Sequence, residues 1–374
     1  MQLLPNAPKI DERASFEELR QFLAAYQSAD QLGSDRSSID EVFYTLPWFE
    51  NLARHGFATT ELPLRPLLIV VSEVMPGSAA QYVPTVSLPF AAGRHLSGLS
   101  NYYSSLFGPV VWRVPGPATW LALAQYLRQH PSRWPVVTLS PLDRDSAFYT
   151  GIRLALSQAG YWVDSYFCFG NWYLNVAQRN FEQYISSVPS ALRNGIHRGQ
   201  RRLTKQGSWS IHIQQAPNDA LEATIEAFVQ IYKQSWKSSE PHADFIPNLA
   251  RLAAKHGWLR LGVLNLNDQA IAAQLWLVKD KKASIYKLAY VKGFEKFSAG
   301  SVLTHALMRH AIDIDQVQEV DYLTGDDAYK RDWMSHRRER RGIVAFHPGT
   351  VEGVARSALH WAGKWLKHRP KLPT

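Results

Sequence analysis

The sequence predicts a mixed α/β (α+β) protein whose strands are mostly antiparallel, and three observations lead to this prediction. Short apolar runs of strand length alternate with amphipathic helical segments along the chain. Three strands at 258–266, 270–278 and 283–290 are joined by short polar links, which is typical of an antiparallel meander. A helix at 300–314 then leads to a strand at 319–323, and such a crossover makes that strand parallel to the last strand of the meander.

The remaining elements follow from the same patterns. In the first half, residues 15–27 combine capping-box spacing with one apolar face, which predicts a helix. The other predictions there are a helix from Pro47 to near Gly56, helices at 118–129 and 146–159, and strands at 67–74, 136–139 and 162–169. In the second half, the predicted strands lie at 172–176, 209–214 and 342–346. The predicted helices there lie at 181–206, 219–237, 328–334 and 351–371, and the first of them is interrupted at Pro189.

Composition indicates a globular protein of more than one domain. The chain has 374 residues, of which 46% are hydrophobic, with 13 Trp, 16 Tyr and 16 Phe to build a core. Its single cysteine, Cys168, excludes a disulfide framework and a cysteine zinc site, and its apolar strand predicts an inert buried thiol. The histidines show no metal-ligand spacing, so we expect no metal.

The N-terminal segment does not resemble a signal peptide, and no apolar run approaches the roughly 20 residues of a membrane span. We therefore expect a cytoplasmic protein. The formal charge is +9, and the excess is concentrated at 193–205, 337–341 and 364–371. Basic runs of this kind suit a phosphate-bearing partner, namely a CoA-like cofactor, a nucleotide sugar, tRNA or an anionic membrane, although each can also be a solvated surface.

Two segments of the second half contain candidate functional residues. Ser298, Gly300 and Ser301 stand where a strand gives way to a helix, so backbone N–H groups and the helix dipole could hold an anion there. The alternative is ordinary helix capping by Ser298 or Ser301. No Walker-type glycine loop is present, which argues against an NTPase.

The second segment lies after the strand 319–323. Asp326 and Asp327 are adjacent carboxylates, and mutual repulsion can make one of them basic enough to accept a proton. Lys330 could hold a phosphate or stabilise an oxyanion. The alternative is a helix start whose acidic residues face the dipole, with Lys330 in a surface ion pair.

An ordered set of motifs resembles the CelD-like, FemAB-related branch of the GNAT-superfamily N-acyltransferases. The set is densest from 171 to 346, and its members are Asn171-Trp172-Tyr173-Leu174, the basic run 193–205, Ser235-Trp236-Lys237, Lys287-Leu288-Ala289-Tyr290, Phe297-Ser298-Ala299-Gly300 and 325–333. The resemblance implies two tandem GNAT-like lobes with mixed, mostly antiparallel sheets. It divides the chain into an N-terminal lobe at 1–170, an acyltransferase domain at 171–348 and a basic amphipathic tail at 349–374.

The resemblance also implies the site. The pantetheine of acetyl-CoA or another acyl-CoA, bound as co-substrate, would lie between 283–290 and 319–323, and its pyrophosphate would lie on the turn at 298–301. The implied donor-binding residues are Leu288, Ala289, Tyr290, Ser298, Ala299, Gly300 and Ser301. The predicted catalytic residues are Asp326, Asp327 and Lys330, and the predicted substrate-binding residues are Trp236, Lys237, Glu240 and Tyr329. Glu240 is also a further candidate base.

The implied activity is acyl transfer to an amine or hydroxyl of a polysaccharide or cell-envelope precursor. Because the turn at 298–301 is poorer in glycine than the usual GNAT signature, an aminoacyl-tRNA donor stays open, and tRNA would then be a partner. A non-catalytic polysaccharide-assembly component is the third hypothesis. The tail at 351–371 is expected either to contact an anionic membrane at its inner face or to pack on the protein itself.

Overall fold

A computed structural model of the chain describes residues 7–27, 41–57, 65–75 and 81–367, so the last seven residues of the predicted tail lie outside the described part. One large mixed sheet runs through the molecule, with helices packed on its faces. Within the described ranges, no helix is both long enough and apolar enough to cross a bilayer. The mixed, mostly antiparallel fold predicted from the sequence is confirmed.

The first half contains seven strands and four helices among the described residues, most of them at the predicted positions. They are β1 Lys9–Arg13, α1 Phe16–Gln27, α2 Leu46–His55, β2 Arg65–Val74, β3 Tyr82–Ala92, β4 Leu96–Gly98, β5 Val110–Val111, α3 Pro117–Gln129, β6 Val136–Asp143, α4 Ala147–Gln158 and β7 Trp162–Asn175.

The second half continues the alternation. Its elements are α5 Phe181–Ser187, α6 Ser190–Gln206, β8 Trp209–Gln214, α7 Ala220–Lys233, α8 Phe245–Lys255, β9 Leu259–Leu266, β10 Gln269–Lys279, β11 Lys282–Tyr290, α9 Ala299–Arg309, β12 Glu319–Asp321, α10 Ala328–Trp333, β13 His336–Phe346 and α11 Val351–Lys367. A π-helical turn, His310–Ile314, extends α9.

The strand order shows two matching halves. In the first half the meander β2–β3–β4 is followed by β6, which is parallel to β4; in the second half the meander β9–β10–β11 is followed by β12, which is parallel to β11. The final strand of each half pairs with the other half, because β7 lies beside β12 and β13 lies beside β6. β7 and β13 pair with each other and join the halves into one sheet.

Three local predictions differ from the structure. The strands predicted at 162–169 and 172–176 are one strand, β7, which pairs with β13 on both sides of Gly170. A side chain at Gly170 would clash with the Arg337 and Asp326 side chains. The boundary proposed between residues 170 and 171 therefore lies inside a strand, and the division into domains stays a prediction. The helix predicted to reach 237 ends at Lys233, and α8 was not predicted.

The buried side chains form two large clusters, of which the first contains residues of both halves of the sheet and the second mainly residues of the second half. The first includes Trp48, Phe107 and Phe245, and α7 and α8 pack into it beside elements of the first half. The second includes Trp276 and lies beneath α5, α6 and α9. Because α8 of the second half packs against α2 of the first, the two halves bury surface on each other.

A buried carboxylate joins four strands of the sheet. Asp321, at the end of β12, is fully buried; its Oδ2 lies 2.5 Å from Arg338 Nη2 and 3.1 Å from Lys282 Nζ. Its Oδ1 accepts hydrogen bonds from Asn171 Nδ2 and the Leu323 N–H, at 2.6 and 2.7 Å. Burial alone would raise the pKa of Asp321, but Lys282 and then Arg338 hold it well below the usual range.

We expect Asp321→Ala to lower the free energy of unfolding by about 3–5 kcal/mol, because it removes the fully buried carboxylate that Lys282 and Arg338 share. Urea unfolding at pH 7 measures the change. The wild-type contribution is present above the unfolded-state pKa near 4 and is lost as the pH falls toward the lowered folded-state pKa.

The control is Asp219→Ala, which removes an exposed carboxylate that makes no capping hydrogen bond and should cost less than about 1 kcal/mol. Equal losses for the two variants would contradict a special role for Asp321.

Candidate active site

The open end of the parallel pair β11–β12 forms the candidate site. The two strands are paired only from Lys282–Ser284 with Glu319–Asp321 and separate beyond this point. A cavity of about 280 Å³ lies where they diverge, with Tyr286 and Leu288 on the β11 side and Thr324 on the other. Parallel strands that separate at their carboxyl ends commonly hold ligands.

Both halves of the chain line this cavity. Tyr102 and Tyr103 belong to the first half, and their rings lie near the Lys287 ammonium, at 4.7 and 5.4 Å from the ring centroids. The Tyr103 hydroxyl accepts a hydrogen bond from the His242 N–H at 3.0 Å, which ties the loop after α7 to the first half. The Tyr102–Tyr103 pair therefore contacts β11 of the second half, and no local pattern in the sequence predicts this contact.

The two predicted acids have different surroundings. Asp326 accepts hydrogen bonds from Arg337, at 2.6 Å from Nη2, and from Trp172 Nε1 at 2.7 Å, and it does not line the cavity. The Arg337 hydrogen bond is the main reason that the pKa of Asp326 is lowered, which makes it a weaker base. Asp327 lines the cavity and lies 3.2 Å from Lys330 Nζ. The geometry therefore favours Asp327 over Asp326 as a proton acceptor.

Lys330 is buried beneath the turn that ends β12. Its ammonium donates hydrogen bonds to the carbonyl oxygens of Thr324 and Gly325 and pairs with Asp327. Leu323 in the same turn has a left-handed φ of 55°, which is uncommon for leucine. Three acceptors surround the three N–H groups of Lys330, so this side chain holds the turn in place. To stabilise an oxyanion, as predicted, Lys330 would have to give up one of these contacts.

Three lysines line the cavity, and two of them form ion pairs with carboxylates. Lys287 Nζ lies 2.7 Å from Glu240 Oε1, and Lys330 pairs with Asp327. Lys237 also lines the cavity but has no carboxylate within 4 Å among the described residues. Burial, followed by repulsion from Lys287, lowers the pKa of Lys237 to about 8. The predicted substrate-binding residue Lys237 is thus an unpaired cation facing the cavity.

Glu240 lies in the loop that carries Lys237. Its Oε1 is bound by Lys287, while its buried Oε2 makes no hydrogen bond within the described residues. Burial raises the pKa of the neighbouring Tyr103 and of Tyr286 well above the usual range of a phenol, so both side chains stay protonated. Glu240 therefore positions the Lys287 ammonium beside the cavity and does not itself line it.

The predicted donor turn continues from β11. Ser298 has a left-handed φ of 50° and precedes α9, and its side chain makes no capping hydrogen bond, so capping by Ser298 is not observed. The Gly300 carbonyl accepts hydrogen bonds from Gln274 Nε2 and Thr304 Oγ1, both at 2.9 Å. Ala299 is buried and Ser301 is half-buried at the start of the helix. The N–H groups in the first turn of a helix have no partner within the helix, so those of α9 can bind an anion.

Aromatic and basic residues surround this turn. The Trp236 and Tyr290 rings lie 4.3 Å apart between centroids, and a side chain at Gly300 would contact the Tyr290 ring. Gly199 of α6 packs against the Phe297 carbonyl, and a side chain at that position would clash with it. This close approach brings the basic helix α6 against the start of α9. Ala289 is buried beside Leu288, and Tyr329 lines the cavity with its ring against Tyr322.

A larger cavity of about 680 Å³ lies at the other end of the β11–β12 pair. Its charged walls are mutually paired: Lys282 contacts Glu41 at 2.6 Å, and Arg338 contacts Glu319 at 2.7 Å. These contacts neutralise the charges of the side chains concerned, so the smaller cavity is the better candidate for the reaction. In the described part of the chain, no group of three or more His, Cys, Asp or Glu side chains is arranged to hold a metal.

Comparison with known proteins relates part of the chain to a known domain family. Residues 190–331, which include α6–α9, β8–β12 and the cavity residues Lys237 and Lys330, match the family model of the acetyltransferase (GNAT) domain. This part of the chain is therefore similar to acetyltransferase (GNAT) domains. No curated protein sequence matches the chain.

Solved structures of similar fold share little sequence with the chain. A conserved protein of unknown function from Bacteroides thetaiotaomicron VPI-5482 is 10% identical with a TM-score of 0.54, over 90% of this chain and 100% of that one. FemX is 10% identical with a TM-score of 0.51, over 81% and 92% of the two chains. A tandem GNAT protein from the clavulanic acid biosynthesis pathway is 11% identical with a TM-score of 0.47, over 92% and 100%.

We expect Lys237 to titrate with a pKa of about 8. NMR of the ¹³C-dimethylated protein measures it, and Lys237→Arg assigns the signal. Lys287→Met should raise this pKa, because it removes the repelling charge and frees Glu240 to attract Lys237. A Lys237 signal that does not move in the Lys287 variant would show that the two ammonium groups do not interact.

Proposed function

We propose that the protein transfers an acyl group from acyl-CoA to an amine or hydroxyl of an acceptor that carries a carboxylate or phosphate. The observation that supports this most is that β11, which lines the open end of the β11–β12 pair, ends at Tyr290 beside Gly300 in the first turn of α9. A donor lying along β11 would place its phosphates at the helix N-terminus and its thioester in the cavity. An acyl-CoA donor fits a cytoplasmic enzyme.

The donor-binding surface would extend along β11. Leu288 lines the cavity, and Tyr290 with Trp236 forms an aromatic wall next to Gly300. An extended, partly apolar arm such as pantetheine suits this surface between the cavity and the turn. The N–H groups at the start of α9 would then bind the pyrophosphate, while the dipole of the helix favours its negative charge.

In the proposed reaction, the acceptor nitrogen or oxygen attacks the thioester carbonyl. A C–N or C–O bond forms, the C–S bond breaks, and the thiolate leaves and takes up a proton. Asp327, the carboxylate that lines the cavity, accepts the proton of the nucleophile directly or through water. Backbone N–H groups of the diverging strands stabilise the oxyanion. Lys330 keeps the turn that carries Asp327 in place.

Lys237 supports an anionic acceptor. With Lys287 and Lys330 each paired to a carboxylate, a bound carboxylate or phosphate would complete the charge balance of the cavity. An anion raises the lowered pKa of Lys237, so binding above pH 8 should be accompanied by proton uptake. The polysaccharide or cell-envelope precursors implied by the family resemblance include acceptors of this chemistry.

An aminoacyl-tRNA donor is the second candidate, and the exposed basic face of α6 favours it. Arg193, Arg198, Arg201, Arg202 and Lys205 have no ion-pair partner within 4 Å in the described ranges. Arg202 instead donates a hydrogen bond to the Lys296 carbonyl beside the donor turn. A phosphate backbone on this face would make donor binding fall steeply with added salt.

The donor is tested by calorimetric titration of acetyl-CoA and longer acyl-CoAs. We expect binding by the wild type and at least tenfold weaker binding by Ser301→Glu, because the carboxylate would repel the pyrophosphate at the start of α9. Ser210→Glu, at an exposed position of β8, is the matched control and should bind normally.

If the wild type binds no acyl-CoA but binds aminoacyl-tRNA in a salt-dependent manner, the donor assignment is wrong. If both variants bind as the wild type does, the donor phosphate does not lie at this turn.

The acceptor is tested with pairs of amines that differ by one anionic group, such as an amino sugar and its phosphate, or an amino acid and its amide. The wild type should prefer the anionic member, and Lys237→Gln should lower kcat/KM for that member roughly 10- to 150-fold, as expected for a lost charge-assisted hydrogen bond. Lys237→Arg should keep most of the preference.

Acyl-CoA affinity serves as the control, since the Lys237 variants should leave it unchanged. A wild type that acylates both members equally would contradict the anionic acceptor without affecting the acyltransferase assignment.

A further inference from the structure

The C-terminal helix α11 is amphipathic, and its polar side faces the protein. Asp164 of β7 lies 2.7 Å from His360 Nε2 and 2.8 Å from Lys364 Nζ. At the other end of the helix, Glu352 lies 2.9 Å from both Arg94 Nε and His95 Nε2. Ion pairs at both ends thus attach one side of α11 to the body of the protein.

Close packing near the start of the helix fixes its position further. Gly353 is buried against the carbonyl oxygens of His347 and Pro135, and a side chain there would clash with both. Ser357, one turn later, is also buried. Residues 353, 357, 360 and 364 lie on one face at helical spacing, so this face is the one in contact with the protein.

The apolar side of α11 faces outward. Leu359 and Leu366 are 74% and 60% exposed, and Trp361 is 42% exposed. The apolar side chains exposed on this helix are Val351, Val354, Leu359, Trp361, Trp365 and Leu366. A helix that packs on its own protein normally buries its apolar face, so this arrangement is the reverse of the usual one.

The charge of the segment indicates what covers this face. From residue 351 to the C-terminus the sequence has five basic residues and a single acidic one. That acidic residue, Glu352, is already bound by Arg94, His95 and Arg356. Two copies of such a basic helix would repel each other, which argues against self-association through it. Basic residues beside exposed Leu and Trp are typical of helices that lie in the surface of an anionic bilayer.

We propose that α11 is a peripheral membrane anchor that inserts Leu359, Trp361 and Leu366 into a bilayer rich in anionic lipids. Ion pairs join Lys364 and His360 of the helix to Asp164, and Glu352 of the helix to Arg94. These pairs keep the helix attached to the protein while its apolar face enters the lipid. The segment then lies in the plane of the membrane and does not span it. This proposal does not depend on the acyl donor or acceptor.

Vesicle co-sedimentation of the full chain tests the proposal. The wild type should bind vesicles that contain phosphatidylglycerol at least tenfold more tightly than pure phosphatidylcholine vesicles, and added salt should weaken the binding. The double variant Leu359→Glu/Leu366→Glu should lose at least tenfold in affinity for the anionic vesicles. The matched control is Leu154→Glu/Ile314→Glu, which changes two exposed apolar residues elsewhere and should bind as the wild type does.

Circular dichroism should give equal melting temperatures for the wild type and both variants, since all four positions are exposed. Absence of wild-type binding to anionic vesicles would overturn the proposal, and so would equal binding by the two double variants. Light scattering supplies a separate check: a wild-type dimer that only the Leu359/Leu366 variant dissociates would show that a second copy covers the helix instead.

Discussion

The architecture depends most on the ion pairs and hydrogen bonds that the Asp321 carboxylate makes. β12 is only three residues long, yet it ends in a fully buried carboxylate that Lys282 of β11, Arg338 of β13 and Asn171 of β7 all contact. An unpaired charge in this position would be costly to bury, so the four strands are stable together and much less so apart. The same carboxylate binds the Leu323 N–H, so it also shapes the turn that leads to the candidate site.

The exchange of final strands explains why neither half of the chain forms the site alone. β7 comes from the first half but pairs with β12, and β13 returns from the second half to pair with β6. Tyr102 and Tyr103 thereby reach the β11 side of the cavity, where the Tyr286 hydroxyl donates a hydrogen bond to the Tyr103 carbonyl. The first half therefore acts as one wall of the cavity, so specificity for an acceptor can come from both halves.

Sequence patterns predicted what depends on local spacing. The meander, the parallel position of β12 and the helix after Ser298 follow from polar links and helical periodicity, and all three are found. Contacts between distant residues carry no such pattern. Lys287 pairs with Glu240, and Asp326 accepts hydrogen bonds from Arg337 and Trp172. Both sets of contacts depend on how the strands are ordered in the sheet. For the same reason the sequence could not tell which of Asp326 and Asp327 is the better candidate base. The two residues are adjacent in the chain but have different surroundings in the fold.

The position of α11 limits how a membrane-bound enzyme could reach its acceptor. β7 is one strand, with the anchor residue Asp164 near its start and Trp172, which binds Asp326 beside the candidate site, eight residues later. At about 3.3 Å per residue, these positions lie roughly 26 Å apart along the strand. A lipid head group at the α11 surface would not span that distance without a long extension. An acceptor used by the docked protein must therefore either be soluble or carry a polar chain that extends well away from the bilayer.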